Sequence, residues 1–219
     1  MVQLVEPLGE QVLHRLYRAR VCVHAMLRDR GYTLTSAPLP EAEFAARLHA
    51  TRRDDALLAL SISARTPRRR LVTAFFCHGE KVGIGAVRDI VQHCVAHEVH
   101  HVVLVHQTTI TPFARARLDE LARDPDVPSV GTCEIFAFDD VQINPCDHVD
   151  VPPHELLSKE EAKALLRGAE RKGMSRDTLP KMLTTDAVAR HFGARRGQIF
   201  RIRRPNPEGV VETAYRVVV

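Results

Sequence analysis

Apolar positions recur with two different periods along the first two-thirds of the chain. Four segments repeat apolar side chains every three or four residues, as amphipathic helices do: residues 13–30, a segment opened by Pro40, residues 84–97 and residues 112–123. Four others are short runs rich in β-branched, aromatic and aliphatic residues, which predict strands at residues 56–64, 71–77, 101–107 and 133–138. Because helices and strands alternate, this part of the chain is expected to form an α/β layer structure.

A second pattern begins after Asn144 and Pro145. Ser158 and Glu161 have the spacing of a capping box and predict a helix to about residue 172. A short helix is expected at residues 178–183, and Asp186 is placed to cap another at 187–192 that Gly193 would end. Residues 198–204 and 211–219 then predict two strands. The expected fold is therefore mixed α/β: an α/β domain at residues 1–146 and a small α+β domain at residues 147–219.

Composition and charge narrow the class of protein. No apolar run approaches the roughly 20 residues that span a bilayer, and the first ten residues contain no basic side chain, so we expect an intracellular protein. The five cysteines are odd in number and widely spaced, which predicts reduced thiols. Residues 1–146 carry equal numbers of basic and acidic side chains, so the formal net charge of +4 belongs to residues 147–219.

One segment matches a catalytic pattern literally. His97-Glu98-Val99-His100-His101 has the His-Glu-x-x-His spacing of zinc proteases, in which one helix presents both histidines to a zinc ion. Here the helix is predicted to end near His97, and His101 is predicted to enter a strand. At about 3.3 Å per strand residue, the two imidazoles would lie far apart. A zinc hydrolase is therefore the least favoured of the functions considered.

A looser group of histidines and a cysteine surrounds that motif. A structural metal site there is an open alternative to solvated histidines at a helix end, where they interact well with the helix dipole. The group comprises His93, Cys94, His97, His100, His101 and His106. We expect no metal and no cofactor, since the ligand spacing is irregular and neither a phosphate-binding loop nor a nucleophile elbow is present.

Arginines cluster in two places. On a strand, Arg201 and Arg203 would share one face, while Ile202 would point into the core. That face is either solvated or a docking surface for carboxylates or phosphates, which arginine binds through two hydrogen bonds. Arg68, Arg69 and Arg70 form a second cluster in a predicted turn, where a nucleic-acid contact is the alternative to simple solvation.

The end of the chain carries many short motifs in a fixed order. They are Val151-Pro152-Pro153-His154-Glu155, Leu179-Pro180, the segment Thr185 to Gly193, Arg196-Gly197-Gln198, Arg203-Arg204-Pro205 and Tyr215-Arg216. This stretch closely resembles the small subunit shared by eukaryotic RNA polymerases I, II and III, and its archaeal equivalent. Thinner matches upstream resemble the jaw domain that the eukaryotic form carries and the archaeal form lacks. They are Leu27 to Tyr32, Lys81 to Ile84 and Thr111-Pro112.

The resemblance implies a non-catalytic subunit of a DNA-dependent RNA polymerase. Residues 147–219 would dock on the largest subunit and contact neighbouring small subunits. Residues 1–146 would form part of the lower jaw, with weak contact to downstream DNA only in the complex. The implied location is the nucleus or, for a virus-encoded subunit, the viral particle or infected-cell cytoplasm. The competing function is a free-standing nucleic-acid-binding module.

The same resemblance assigns candidate site residues. The expected partner-binding residues are Pro153, His154, Asp186, Arg190, His191, Gly193, Arg195, Arg196, Gly197, Arg203, Arg204 and Pro205. The expected DNA-proximal residues are Arg68, Arg69, Arg70, Thr111 and Pro112. The chain departs from the family pattern at Phe113, Ala187 and His191. Its apolar end, Val217 to Val219, is expected to pair in a sheet and to be covered by a partner.

Overall fold

A five-stranded mixed sheet organises the first part of the chain in the computed structural model. The structure describes residues 9–51, 57, 60–77, 81–123, 130–170, 175–205 and 209–219. The strands are β1 (Thr33–Leu34), β2 (Ile62–Arg65), β3 (Leu71–Cys77), β4 (Val99–His106) and β5 (Thr132–Ala137). They lie side by side in chain order. The pairs β1–β2 and β2–β3 are antiparallel, whereas β3–β4 and β4–β5 are parallel.

Helices cover both faces of this sheet. They are α1 (Glu10–Asp29), α2 (Glu41–Ala50), α3 (Ile84–His97) and α4 (Pro112–Glu120), followed by 3-10 turns at Leu121–Arg123 and Phe138–Val141. Side chains of α1 and α2 share one core with Phe76 and Val103. Those of α3 and α4 share a second core with Phe75 and Leu104 on the opposite face. Alternate strand residues therefore point into different cores, which explains why β3 and β4 are apolar almost throughout.

A separate four-stranded sheet forms in the last part of the chain, in the order β6 (His154–Leu156), β8 (Ile199–Pro205), β9 (Val211–Val218) and β7 (Lys181–Met182). Two helices accompany it, α5 (Lys159–Glu170) and α6 (Ala187–His191), with 3-10 turns at Pro145–Asp147 and Arg176–Thr178. The chain divides into two compact units, Met1–Ile143 and Asn144–Val219. The mixed α/β fold expected from the sequence is confirmed.

Local sequence explains the helix ends. At the start of α5 the Glu161 N–H donates to the Ser158 hydroxyl at 3.2 Å and the Ser158 N–H donates to the Glu161 carboxylate at 2.9 Å, which confirms the predicted capping box. Asp186 caps α6 as predicted. Gly31 and Gly193, which follow α1 and α6, have positive φ angles of 74° and 61°, the conformation that glycine adopts at little cost.

Two predicted elements were wrong. The strand expected at residues 56–64 covers only Ile62–Arg65, and Leu57 is helical, while residues 56, 58 and 59 lie outside the described part. The apolar run before Ile62 consists of alanines and leucines, which favour helix, and periodicity does not separate short helices from buried strands. The helix expected at residues 178–183 is replaced by the turn Arg176–Thr178 and by β7. Pro180 explains this, because the residue before a proline is driven to an extended conformation; Leu179 has φ −68° and ψ 140°.

The apolar end of the chain lies inside the second unit. Val217 and Val218 are 4% and 1% exposed. Val217 shares a core with Leu157 and Ile199, and Val218 shares another with Phe200. The expected pairing in a sheet is confirmed, but these two valines are covered by the chain's own residues rather than by a partner.

In the described part of the chain, no helix is long and apolar enough to cross a membrane. All five cysteines carry free thiols.

Candidate interaction surfaces

The tips of β8 and β9 extend beyond the rest of the second sheet. The last pair between β6 and β8 joins His154 to Ile202, and the Arg203 N–H donates to the Pro153 carbonyl at 3.1 Å. Further along, and within the described part of the chain, Arg204 and Pro205 pair only with Glu212 and Val211 of β9. We call residues 203–205 together with 210–213 the β8–β9 ribbon.

The ribbon exposes both charged and apolar side chains. Val210 and Val211 are 58% and 60% exposed, and Arg203 and Arg204 are also exposed. A two-stranded ribbon in water is marginally stable unless something packs against it. Two exposed valines beside two arginines therefore mark a surface that a further protein can cover.

An ion-pair network holds the base of the ribbon. Arg201 contacts Glu155 of β6 at 3.1 Å and Glu161 of α5 at 3.5 Å. Arg203 lies 3.6 Å from the same Glu155 carboxylate. Phe200 and Ile202 point the other way and are buried, as the strand pattern predicted. Arg201 is thus occupied inside the unit, which leaves Arg203 and Arg204 as the more available cations.

Several predicted partner-binding residues have local structural roles. Asp186 accepts hydrogen bonds from the N–H groups of Val188 and Ala189 at 2.9 and 3.4 Å. Gly197 has a φ of 83°, which a side chain would strain. His191 is only 4% exposed and packs edge-on against Phe192, at 5.3 Å between the ring centroids. These residues shape α6 and the turn after it.

The other predicted partner-binding residues lie near one or the other end of β8. Pro153 is exposed, and His154 stacks edge-on against Phe200 while its Nδ1 donates to the Pro152 carbonyl at 2.6 Å. Partial burial lowers the pKa of His154, although that hydrogen bond opposes the shift. Both residues lie beside the ribbon. The half-buried Arg190 belongs to α6, and the exposed Arg195 and Arg196 follow that helix. These two arginines precede β8, about 20 Å of strand from Pro205.

The predicted DNA-proximal residues lie near opposite ends of the strands in the first sheet. Arg68, Arg69 and Arg70 are exposed in the tight turn before β3, where Arg69 has a φ of 61° and Arg70 contacts His100 at 2.6 Å. Thr111 and Pro112 follow the other end of β4, where the Thr111 hydroxyl accepts from the Ala114 N–H at 3.4 Å to cap α4. The seven residues of β3 place about 20 Å between those two ends, so the two groups do not form one patch.

The zinc-protease pattern does not have its working geometry. Helix α3 ends at His97 and His101 lies in β4, as the sequence predicted. Between them, the backbone of Glu98 has a left-handed conformation. His101 is 7% exposed, and its Nε2 lies 2.7 Å from Glu134. His93 and His97 stack at 4.4 Å between ring centroids. Within the described ranges, no group of three or more histidines, cysteines and carboxylates could hold a metal ion.

Sequence reasoning missed a buried charged cluster. Arg30, at the end of α1, makes two hydrogen bonds to Glu134 of β5, and His101 contacts the same carboxylate. Arg30 and Glu134 are separated by 104 residues. No local motif connects positions so far apart, and the packing of α1 against the sheet brings them together.

Comparison with known proteins identifies both units. Residues 143–218 match the family model described as RNA polymerase Rpb5, C-terminal domain, and residues 10–94 match RNA polymerase Rpb5, N-terminal domain. A Dictyostelium discoideum protein named as the rpabc1 subunit of DNA-directed RNA polymerases I, II and III is 30% identical over 213 residues, covering 94% of this chain and 98% of that protein. The Caenorhabditis elegans subunit RPABC1 is 28% identical over 212 residues, with 94% and 96% covered.

A plant relative is also named as a subunit of DNA-directed RNA polymerase. The Arabidopsis thaliana protein named DNA-directed RNA polymerase subunit 5-like protein 1 is 30% identical over 212 residues, covering 94% of this chain and 96% of that protein. The similarity thus spans nearly the full length of each chain and includes both units. The chain therefore belongs to the Rpb5 family, a family of accessory subunits of DNA-directed RNA polymerase.

Proposed function

We propose that this protein takes part in assembling its polymerase by docking its second unit, through the β8–β9 ribbon, onto the largest subunit. The observation that carries this proposal is the exposure of Val210 and Val211 on a ribbon that pairs with no third strand among the described residues. Stable interfaces have an apolar centre with a polar rim and are enriched in arginine. Arg203 and Arg204 beside the two valines supply that combination.

Pro153 and His154 extend the proposed docking surface along the edge strand β6. The exposed Arg195 and Arg196 lie at the other end of β8, so they suit contacts with a neighbouring small subunit better than with the same part of the largest subunit. His191 is buried and does not contribute its side chain to the surface.

Co-purification tests the docking surface. We expect a tagged Val211→Asp variant to recover much less of the largest polymerase subunit from its native cells than the wild type, because a carboxylate would be buried in an apolar contact. Val95→Asp is the matched control, since Val95 is 53% exposed on α3 of the other unit. Truncation before Val211 is unsuitable because it removes β9, which pairs with both β7 and β8. Equal recovery by the two variants would contradict the proposal.

The first unit is proposed to form part of the lower jaw beside downstream DNA. Residues 1–146 have no net formal charge, so we expect weak and non-specific contact with phosphates, which falls steeply with salt. One end of the strands would face the duplex: either the end with Arg68, Arg69 and Arg70 or the end with Thr111 and Pro112.

Two measurements test these proposals. Crosslinking distinguishes the two ends of the sheet, and filter binding tests the alternative of a free-standing nucleic-acid-binding module. Site-specific crosslinking from position 69 and from position 112 in the assembled polymerase should mark downstream DNA from one of them. The isolated chain should show no retention of duplex DNA in filter binding at physiological salt. Tight binding by the isolated chain would favour a nucleic-acid-binding module that works alone.

We infer that the protein works in the nucleus and carries no catalytic residues. Relatives named for polymerases I, II and III support the location. A fluorescent fusion would test it, and accumulation in a viral factory or particle would instead indicate a virus-encoded enzyme. Substituting His97 by Ala should leave RNA synthesis by the assembled polymerase unchanged. A loss of synthesis from an intact complex would revive the catalytic interpretation of the His-Glu-x-x-His pattern.

A further inference from the structure

Arg20 on α1 is an unusual cation inside the first unit. Its guanidinium carbon lies 5.3 Å from the ring centroid of Phe44 and 5.4 Å from that of Phe76, so the guanidinium contacts two aromatic rings. Its Nη1 atom is inaccessible to solvent and has no hydrogen-bond partner among the described residues. Aromatic rings attract a cation, but they do not replace the hydrogen bonds that a buried N–H group loses on leaving water.

A cavity of about 110 Å³ adjoins the Arg20 side chain. Its lining combines two arginines, hydroxyl groups and apolar side chains. The polar members are Arg20, Arg47, Ser36, Thr51 and Ser61. A single water needs only about 10–15 Å³, so there is room for a group of several heavy atoms.

Among the described residues, the charges around the cavity are unbalanced. In the part of the chain that the structure describes, Arg20 has no ion pair with a carboxylate, whereas Arg47 lies 3.4 Å from Glu43 in an exposed pair on α2. Burial, and then the charge of Arg47, lower the pKa of Arg20 to about 10, which still leaves it charged at neutral pH. His24, one turn further along α1, is neutral at pH 7, since burial and then the charge of Arg20 lower its pKa to about 4.

We propose that this cavity binds a small oxyanion, a phosphate or carboxylate group, with Arg20 and Arg47 as its cationic donors and the Ser36 hydroxyl as a further donor. The Thr51 hydroxyl is already committed, since it donates to the Arg47 carbonyl at 2.8 Å. Arginine binds both kinds of oxyanion through paired N–H donors, and such charge-assisted hydrogen bonds are about twice as strong as neutral ones. The alternative occupant is water, which would fill the cavity without any preference for anions.

Thermal unfolding of the purified full chain tests the proposal. The probes are sodium phosphate and sodium acetate, each compared with sodium chloride at the same ionic strength. An oxyanion present at about ten times its Kd should raise the Tm of the wild type by about 3–6 °C above the chloride value. A larger shift with phosphate identifies a phosphoryl site, and a larger shift with acetate identifies a site for carboxylates.

Arg20→Met is the decisive variant, because methionine keeps an apolar chain beside the two rings and removes the charge. It should lose the oxyanion-dependent shift, whatever happens to its Tm in chloride. Arg18→Met, an exposed position on the same helix, should keep it. If Arg20→Met does not fold, Arg47→Gln on the exposed side of the cavity should reduce the shift.

Three results would overturn the proposal. They are equal Tm values for the wild type in phosphate, acetate and chloride, equal oxyanion shifts in the wild type and Arg20→Met, and, where Arg20→Met does not fold, equal shifts in the wild type and Arg47→Gln. None of these measurements involves the polymerase, so failure here leaves the proposed docking function untouched.

Discussion

Arg30 and Glu134 face each other with two parallel hydrogen bonds, from Nη1 to Oε1 at 2.8 Å and from Nη2 to Oε2 at 2.9 Å. The Arg30 side chain is 2% exposed and that of Glu134 is 26% exposed. His101 reaches the same carboxylate at 2.7 Å. The pair therefore ties the end of α1 to β5, and the contact with β4 adds a third element.

Replacing Glu134 by Gln should destabilise the first unit by about 3 kcal/mol. The substitution removes the carboxylate that holds Arg30 through two hydrogen bonds and leaves a buried guanidinium without that counter-charge. Urea unfolding of the purified chain would measure the loss. Glu120→Gln, at the exposed end of α4, is the control and should change stability by less than about 0.5 kcal/mol. Equal effects of the two substitutions would show that the pair contributes little.

The same carboxylate should make stability depend on acid pH. Burial alone would raise the pKa of Glu134, but the close contact with His101 at 2.7 Å and the charge of Arg30 together lower it from 4.5 to about 2. Because the pKa is lower in the folded state, the stabilisation is present above pH 4.5 and is lost as pH falls towards 2. A shift of this size corresponds to about 3 kcal/mol. The stability difference between the wild type and Glu134→Gln should shrink between about pH 5 and pH 2, whereas a constant difference would contradict this assignment.

Elements with a local cause were predictable from the sequence. The strand at Leu71–Cys77 and the helix at Ile84–His97 have the predicted bounds, because their periods are regular and unambiguous. The β7 strand was missed because two residues form it, and its pairing with Val217 and Val218 is a tertiary contact. The sequence also predicts a turn at residues 124–128 and a loop at residues 205–209. Residues 124–128 and 206–208 lie outside the described part.

The candidate surfaces were harder to predict than the fold. The motifs that carry family membership mark positions that the fold requires as well as positions that touch a partner. Asp186 and Gly193 are examples, since one caps α6 and the other ends it. Sequence similarity does not separate these two roles. The sequence predicted Arg203, Arg204 and Pro205 as partner-binding residues. The structure adds the exposed Val210 and Val211 and shows where β6 stops pairing with β8.

Replacing Asp186 by Ala should destabilise the second unit by about 1 kcal/mol, the usual cost of losing an N-cap. The lost acceptor serves the N–H groups of Val188 and Ala189. Amide hydrogen exchange at these two positions should accelerate in the variant. Asp186→Asn keeps a side-chain oxygen and should restore most of the protection. If Asp186 acts only through a partner, neither substitution will change exchange in the isolated chain.

Replacing Glu98 by Gly should stabilise the first unit. Glu98 follows α3 with φ 51° and ψ 45°, a left-handed conformation that costs a residue with a side chain about 1–2 kcal/mol. Glycine adopts it at little cost, although it loses more backbone entropy on folding, so we expect a net gain of about 0.5–1 kcal/mol. Glu98→Ala keeps the Cβ atom and should give no gain, which separates backbone conformation from side-chain chemistry. The measurement is urea unfolding of both variants. A loss of stability in Glu98→Gly would mean that the carboxylate makes a contact that outweighs the conformational strain.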